Sequence, residues 1–208
     1  MEKQHVLDQI KRLGAVAVIR AQSEEQAMEL TSQCVQGGLT IVELTFTTPN
    51  ADGVIRRLDQ EFGDAILLGA GTVMNAQTSQ LAMAAGARFV VSPHFDPDIV
   101  AACNKAGIPA ACGTMTITEM VAAMNAGCDL LKLFPAGPLG PGYLKAVLGP
   151  LPHAQIMPTG GISPDNAAQW IRAGAVAVGA GGSLFQGNVA QNAARLLEQV
   201  RIAREENL

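Results

Sequence analysis

Aromatic side chains are scarce in this chain: six phenylalanines, one tryptophan and one tyrosine make up 4% of its 208 residues. Apolar residues nevertheless reach 49%, so the interior must be built from Ala, Val, Leu, Ile and Met, as in α/β proteins whose parallel strands are buried on both faces. Positive charge is thin as well. Fourteen Lys and Arg against eighteen Asp and Glu leave a net charge of −4. The basic residues are dispersed, which argues against a nucleic-acid partner but leaves room for a small anion at a local site. No apolar run reaches membrane-spanning length, and the mixed-charge stretch 1–12 carries no secretory apolar core, so a cytoplasmic protein with no membrane partner is expected. The four cysteines, Cys34, Cys103, Cys112 and Cys128, sit in apolar contexts without CxxC spacing and read as buried reduced thiols. HxH and HExxH spacings are missing too, which disfavours a metal-dependent mechanism.

Glycine is plentiful. The 22 glycines are interspersed with apolar runs and not gathered in low-complexity tracts, so they mark turns and not disorder. Gly38, Gly63, Gly86, Gly107 and Gly127 each precede a short apolar run, at spacings of 25, 23, 21 and 20 residues, and Gly174 does the same later. That period suits a βα unit whose helix closes on a C-terminal glycine. Strands are predicted at 16–20, 41–45, 66–70, 89–92, 110–113, 130–134, 155–159 and 175–179. Eight such units predict an α/β fold, a (β/α)8 TIM barrel, as one domain over residues 1–208. The alternative is an open doubly wound sheet, but no GxGxxG follows the first strand. Val6, Ile10 and Leu13 recur at helical spacing and predict an extra N-terminal helix over 2–13, packed across the barrel floor.

Lys132 lies inside the apolar run Leu130-Leu131-Lys132-Leu133-Phe134-Pro135, where a buried strand gives an ammonium no structural role. Desolvating a charge costs several kcal/mol or more unless it is paired. Such a lysine either snorkels from a strand end or does chemistry, since a desolvated neutral amine attacks carbonyls to form Schiff bases. Glu43 is the second anomaly, a carboxylate within Ile41-Val42-Glu43-Leu44-Thr45. In a barrel it faces the same space as Lys132, either as a salt bridge or as the base that proton abstraction beside an iminium needs.

Functional residues of such barrels gather where strands end and βα loops begin. That face carries Arg20, Thr72, Pro93, Thr114 and Phe134 in addition to Lys132 and Glu43. Two glycine-rich turns, Thr159-Gly160-Gly161-Ile162 and Gly179-Ala180-Gly181-Gly182-Ser183, follow the seventh and eighth predicted strands. Backbone N–H groups there could cradle a phosphate with help from a short helix N-terminus, or the glycines could serve tight turning alone. Arg20 either grips a substrate carboxylate with two hydrogen bonds or caps its strand against solvent. The turn 69–73, containing Thr72, could present N–H groups and a hydroxyl to that carboxylate. His94 lies on this face as a lone histidine, while His5 and His153 lie outside it.

Val42-Glu43-Leu44-Thr45, Gly69-Ala70-Gly71-Thr72-Val73, Ser92-Pro93, Leu131-Lys132-Leu133-Phe134-Pro135 and Pro158-Thr159-Gly160-Gly161-Ile162, in this order and spacing, resemble the KDPG/KHG aldolase family over nearly the whole chain. The resemblance implies a homotrimeric, cofactor-free class I aldolase. Its implied reaction is cleavage of a phosphorylated keto acid, 2-keto-3-deoxy-6-phosphogluconate, to pyruvate and glyceraldehyde 3-phosphate, and also of 4-hydroxy-2-oxoglutarate. By the same likeness Lys132 matches the Schiff-base lysine, Glu43 the general acid/base, and Thr72 with Arg20 the pyruvate-carboxylate site. Thr159, Gly160, Gly161 and Ser183 match the residues around the phosphate and aldehyde end, and Pro93, Phe134, Gly181 and Gly182 are expected in the substrate site from their place on the same face. Where some members carry an arginine this chain has Phe46-Thr47-Thr48, which shifts the carboxylate expectation onto Arg20. Leu139-Gly140-Pro141-Gly142-Tyr143 approaches a segment of the 6-phosphogalactonate aldolases, so the epimeric substrate stays open. A non-catalytic phosphosugar-binding barrel would keep the glycine turns without needing both Lys132 and Glu43.

Overall fold

In a computed structural model of the chain, which describes residues 2–206, strands and helices alternate throughout. The strands are β1 (Ala15–Ile19), β2 (Ile41–Thr45), β3 (Leu67–Gly71), β4 (Val90–Val91), β5 (Ala110–Thr114), β6 (Leu130–Leu133), β7 (Ile156–Pro158) and β8 (Val178–Ala180). They pair in parallel in the order β7-β6-β5-β4-β3-β2-β1-β8. A bridge between Thr159 and Gly179 and a bond from Val176 N to Ile156 O (3.0 Å) bring the two end strands together, giving a (β/α)8 barrel. The helices are α1 (Lys3–Leu13), α2 (Glu24–Gln36), α3 (Ala51–Phe62), α4 (Ala76–Ala84), α5 (Pro97–Ala106), α6 (Ile117–Asn125), α7 (Gly140–Leu148), α8 (Ala167–Arg172) and α9 (Val189–Glu205). Ser23, Asn75, Asp96, Thr116 and Asn188 cap five of them with side-chain oxygens, each contributing about 1 kcal/mol.

Successive strand residues point to opposite faces, and the buried apolar residues accordingly form two clusters. Val42, Leu44, Leu131 and Leu133 face outward and pack with the helices. Val16, Ile41, Leu67, Phe89, Val91, Ala111, Leu130, Met157 and Ala177 face inward and fill the barrel, joined by Val6 and Ile10 of α1. The N-terminal helix therefore seals the barrel floor, where each of its two large plugs contributes roughly 1.5–3 kcal/mol of burial.

A residue far along the chain holds that seal in place. Arg204, near the end of α9, donates to the carbonyls of Lys11 (2.5 Å), Arg12 (2.7 Å) and Val176 (3.0 Å). It thus satisfies the orphan carbonyls at the C-terminus of α1 with a cation at the negative end of the helix dipole. Gly14, at φ 74°, closes α1, and a Cβ there would lie 2.4 Å from Arg204 Nη2.

Most strand ends shift by a single residue, and three differences have a physical cause. The eighth strand starts at Val178 and not at residue 175, because the Gly174 and Ala175 amides cap α8 through Ile171 O and Trp170 O. The fourth strand shrinks to two residues, with ladder bonds from Ala70 N to Phe89 O and from Ser92 N to Ala111 O continuing its pairing on either side. No helix starts directly after the second glycine turn: Leu184 N and Phe185 N bond back to Gly181 O and Gly182 O, and α9 begins only at Val189.

The four cysteines are unpaired, with Cys34, Cys103 and Cys112 buried and Cys128 half-buried. Burial pushes the Cys34 and Cys103 thiols from 9.0 up to about 12, so both are neutral at physiological pH. Among the described residues no helix is long and apolar enough to cross a membrane.

Candidate active site

Lys132 and Glu43 are each two residues beyond an inward-facing apolar residue, Leu130 and Ile41, so alternation turns both into the barrel. Lys132 Nζ lies 3.6 Å from Glu43 Oε1, with only 2% and 0% of the two side chains exposed. The amine also sits 5.1 Å from the Phe134 ring centroid, within cation–π range. Neither Glu43 oxygen has a hydrogen-bond partner, although a carboxylate retained for structure would be expected to saturate its lone pairs. Thr114 Oγ1 and Thr159 Oγ1 are the other buried side-chain oxygens without partners among the described residues. All four atoms belong to β2 and to the ends of β5 and β7, at the barrel mouth.

Missing side chains make room for this pair. Gly69, Gly71, Gly113 and Gly179 occupy inward positions two or four residues beyond Leu67, Ala111 and Ala177. A Cβ on Gly71 would lie 2.0 Å from Glu43 Oε1, and one on Gly179 would lie 2.4 Å from Thr159 Oγ1. Thr72, immediately after β3, is held at φ 54°. A β-branched residue rarely adopts this conformation, which costs of order 1–3 kcal/mol and is found chiefly where function requires it.

Two cavities meet at Phe134. The first, about 280 Å³, is lined by Arg20, Thr159, Gly160, Gly161, Gly181, Gly182, Ser183 and their neighbours. The N–H groups of Gly161, Gly182 and Ser183 have no acceptor among the described residues. The Ser183 hydroxyl is committed to Ile162 O at 2.7 Å, so that residue offers the cavity its backbone. The helix N-terminus expected to assist such N–H groups does not follow the second glycine turn directly, since the next helix starts at Val189. The second cavity, about 460 Å³, is lined by Pro93, His94, Phe95, Thr114, Phe134 and Pro135, among others. His94 Nδ1 lies 3.1 Å from Ser92 Oγ.

The sequence reading joined Arg20 with Thr72 at one carboxylate site, and the two have different surroundings in the structure. Arg20 follows the end of β1, which adjoins β8 as well as β2, and it lines the glycine-rich cavity, whereas Thr72 does not. Its guanidinium makes no hydrogen bond or ion pair with any described residue. Asn166 was missed altogether. Its amide donates to Gly161 O (2.8 Å) and its carbonyl accepts from Ser163 N (2.9 Å), fixing the first glycine turn. An Asn before the Ala-rich run of α8 was the available signal, and it reads as a plain helix cap. No cluster of three or more potential metal-ligating His, Cys, Asp or Glu occurs among the described residues.

The profile of the family described as KDPG and KHG aldolase matches residues 6–200. A 2-dehydro-3-deoxy-phosphogluconate aldolase of Treponema pallidum is 36% identical over 80% of this chain and 79% of its own. A 2-dehydro-3-deoxy-6-phosphogalactonate aldolase of Escherichia coli is 29% identical over 92% and 97%. Among solved structures, one described as native KDPGal superposes with a TM-score of 0.87 at 28% identity, covering 92% of this chain and 96% of that one. A KDPG aldolase from Legionella pneumophila, with pyruvate captured as a covalent carbinolamine, gives 0.78 at 29% identity over 91% and 93%.

Proposed function

The chain belongs to the KDPG and KHG aldolase family, and from this premise we propose that it is a class I aldolase working through a Schiff base on Lys132. Its substrate is 2-keto-3-deoxy-6-phosphogluconate, and 4-hydroxy-2-oxoglutarate fits the same chemistry. Lys132 adds to the C2 ketone, and loss of water gives an iminium. Removal of the C4 hydroxyl proton sends the C3–C4 bond electrons into that iminium, releasing glyceraldehyde 3-phosphate and leaving an enamine. Protonation of the enamine at C3 and hydrolysis return pyruvate and the free amine. Glu43 moves the protons through a water molecule as general acid/base.

One observation carries this reading: Lys132 and Glu43 are buried 3.6 Å apart with both carboxylate oxygens unbonded. A lone buried ion pair gives little net stability, so a purely structural role is a poor account of it. The phosphate belongs with Arg20 and the N–H groups of Gly161, Gly182 and Ser183, and the substrate carboxylate with the Thr72 turn. Pro93 and Phe134 wall the reacting end, and Thr159 faces the aldehyde. A homotrimer goes with this reading, supported by exposed Met74, Leu81, Met115, Ile117 and Val121. So does a cytoplasmic setting, which the unpaired cysteines fit.

Incubation with pyruvate and borohydride should fix a covalent adduct on Lys132, read by intact-mass and peptide analysis. Adduct on exposed Lys145 instead, or none at all, would overturn the assignment. A second reading, the galactonate epimer, is favoured by the coverage of its Escherichia coli relative and by the Leu139-to-Tyr143 segment. The ratio of kcat/KM on the two epimeric keto acids decides between them.

A further inference from the structure

We propose that Thr45 and Thr48 are positioning residues for Arg20, holding the backbone of the anion-binding arginine while leaving its guanidinium free. This rests on the reading of Arg20 as a phosphate ligand. Thr45 Oγ1 donates to Ile19 O at 3.0 Å, and Ala21 N donates to Thr48 Oγ1 at 3.2 Å, both in buried surroundings. The Ile19 carbonyl belongs to the peptide group before the Arg20 Cα and the Ala21 amide to the one after it. Both planes whose rotation defines φ and ψ of Arg20 are thus tied to the end of β2, and the direction of its Cα–Cβ bond is set.

The brace is itself supported. A hydroxyl has one proton, and that of Thr45 goes to Ile19 O, so the 2.7 Å contact between Thr45 Oγ1 and Thr47 Oγ1 has Thr47 as donor. Thr48 N bonds to Thr45 O at 3.0 Å, and Phe46 N bonds to Gly71 O at 2.8 Å, anchoring the turn to β3. The segment Phe46-Thr47-Thr48, which offers no cation, contributes hydroxyls that aim one. Arg56, Arg57, Arg88, Arg172, Arg195 and Arg201 all spend their guanidinium on carboxylates. Arg20 is fixed only at its root, which lowers the ordering cost of binding without occupying its donors.

The test compares Thr48→Val, Thr48→Ser and Arg20→Ala, with Thr45→Val as a second removal of a hydroxyl. KM and kcat are measured on the phosphorylated keto acid, and proton exchange on pyruvate, which carries no phosphate. Thr48→Val should raise KM roughly three- to tenfold, the scale of one hydrogen bond, with kcat and pyruvate exchange within about twofold and KM restored by Thr48→Ser. In an Arg20→Ala background Thr48→Val should add nothing, since coupled residues are not additive. A full additive effect in that background, an equal loss of pyruvate exchange, or an unchanged KM in Thr48→Val while Arg20→Ala raises it would overturn the positioning role. If Arg20→Ala itself leaves KM unchanged, the phosphate reading of Arg20 fails, and the inference fails with it.

Discussion

Glu43 is able to lie bare against the amine of Lys132 because the strand beside it has no side chain to offer. Gly71 stands where a methyl group would come within 2.0 Å of Oε1. Two substitutions separate charge from position. Glu43→Gln should keep borohydride trapping on Lys132 while pyruvate proton exchange, followed by deuterium incorporation, falls by about 10²- to 10⁴-fold. Gly71→Ala keeps the carboxylate but displaces it, and an ångström-scale shift should cost on the order of 10²-fold in the same exchange. An unchanged rate in either folded variant would remove Glu43 from the proton path. Lys132 and Glu43 were legible in the sequence because each breaks an otherwise apolar strand. The role of Gly71 was not, since it depends on which rotamer a residue of the neighbouring strand adopts. Arg20 was legible as a mouth residue but not in its direction, because two strands flank β1 and only the closed barrel shows which cavity the side chain lines.

At the level of elements, glycine spacing revealed most of the βα units, and boundaries failed where a cap competed with a ladder. Residues 175–177 carry strand-like sequence, yet the helix they leave takes the Ala175 amide first. The N-terminal helix was legible from its own periodicity, while its fastening was not. Arg204 lies 192 residues from the Arg12 carbonyl to which it donates, and no local pattern reports such a contact. Arg204→Ala should lower stability by roughly 2–3 kcal/mol, the scale of hydrogen bonds to a charged group. This would appear as an earlier urea midpoint with kcat unchanged below the transition. An unaltered midpoint would show α1 to be held by Val6 and Ile10 alone.

Across the whole molecule, the exposed large apolar side chains are not scattered. Met74 (53% exposed) and Leu81 (47%) lie on α4 and the loop before it, and Met115 (44%), Ile117 (42%) and Val121 (37%) on α6 and its loop. The two segments follow β3 and β5, with β4 and α5 between them, and their exposed apolar side chains are the observation that favours the proposed trimer. Met115→Glu with Ile117→Glu should convert a trimer into 21.6 kDa monomers, seen by analytical ultracentrifugation. A single monomeric species before and after would refute the trimer. Composition could not have separated these residues from the core, because apolar residues on a helix look the same whether they are buried or exposed.

The plugged floor has a kinetic meaning. With Val6 and Ile10 filling the bottom of the barrel, the vestibule has one door, and whatever sits deepest is blocked by whatever sits above it. In the proposed mechanism the fragment bound to Lys132 lies deeper in the barrel than the phosphate-bearing fragment, which rests with Arg20 and the glycine turns. Turnover by that mechanism would then proceed as a queue in a blind alley: the aldehyde steps out first, the keto acid follows, and in synthesis pyruvate enters before its partner.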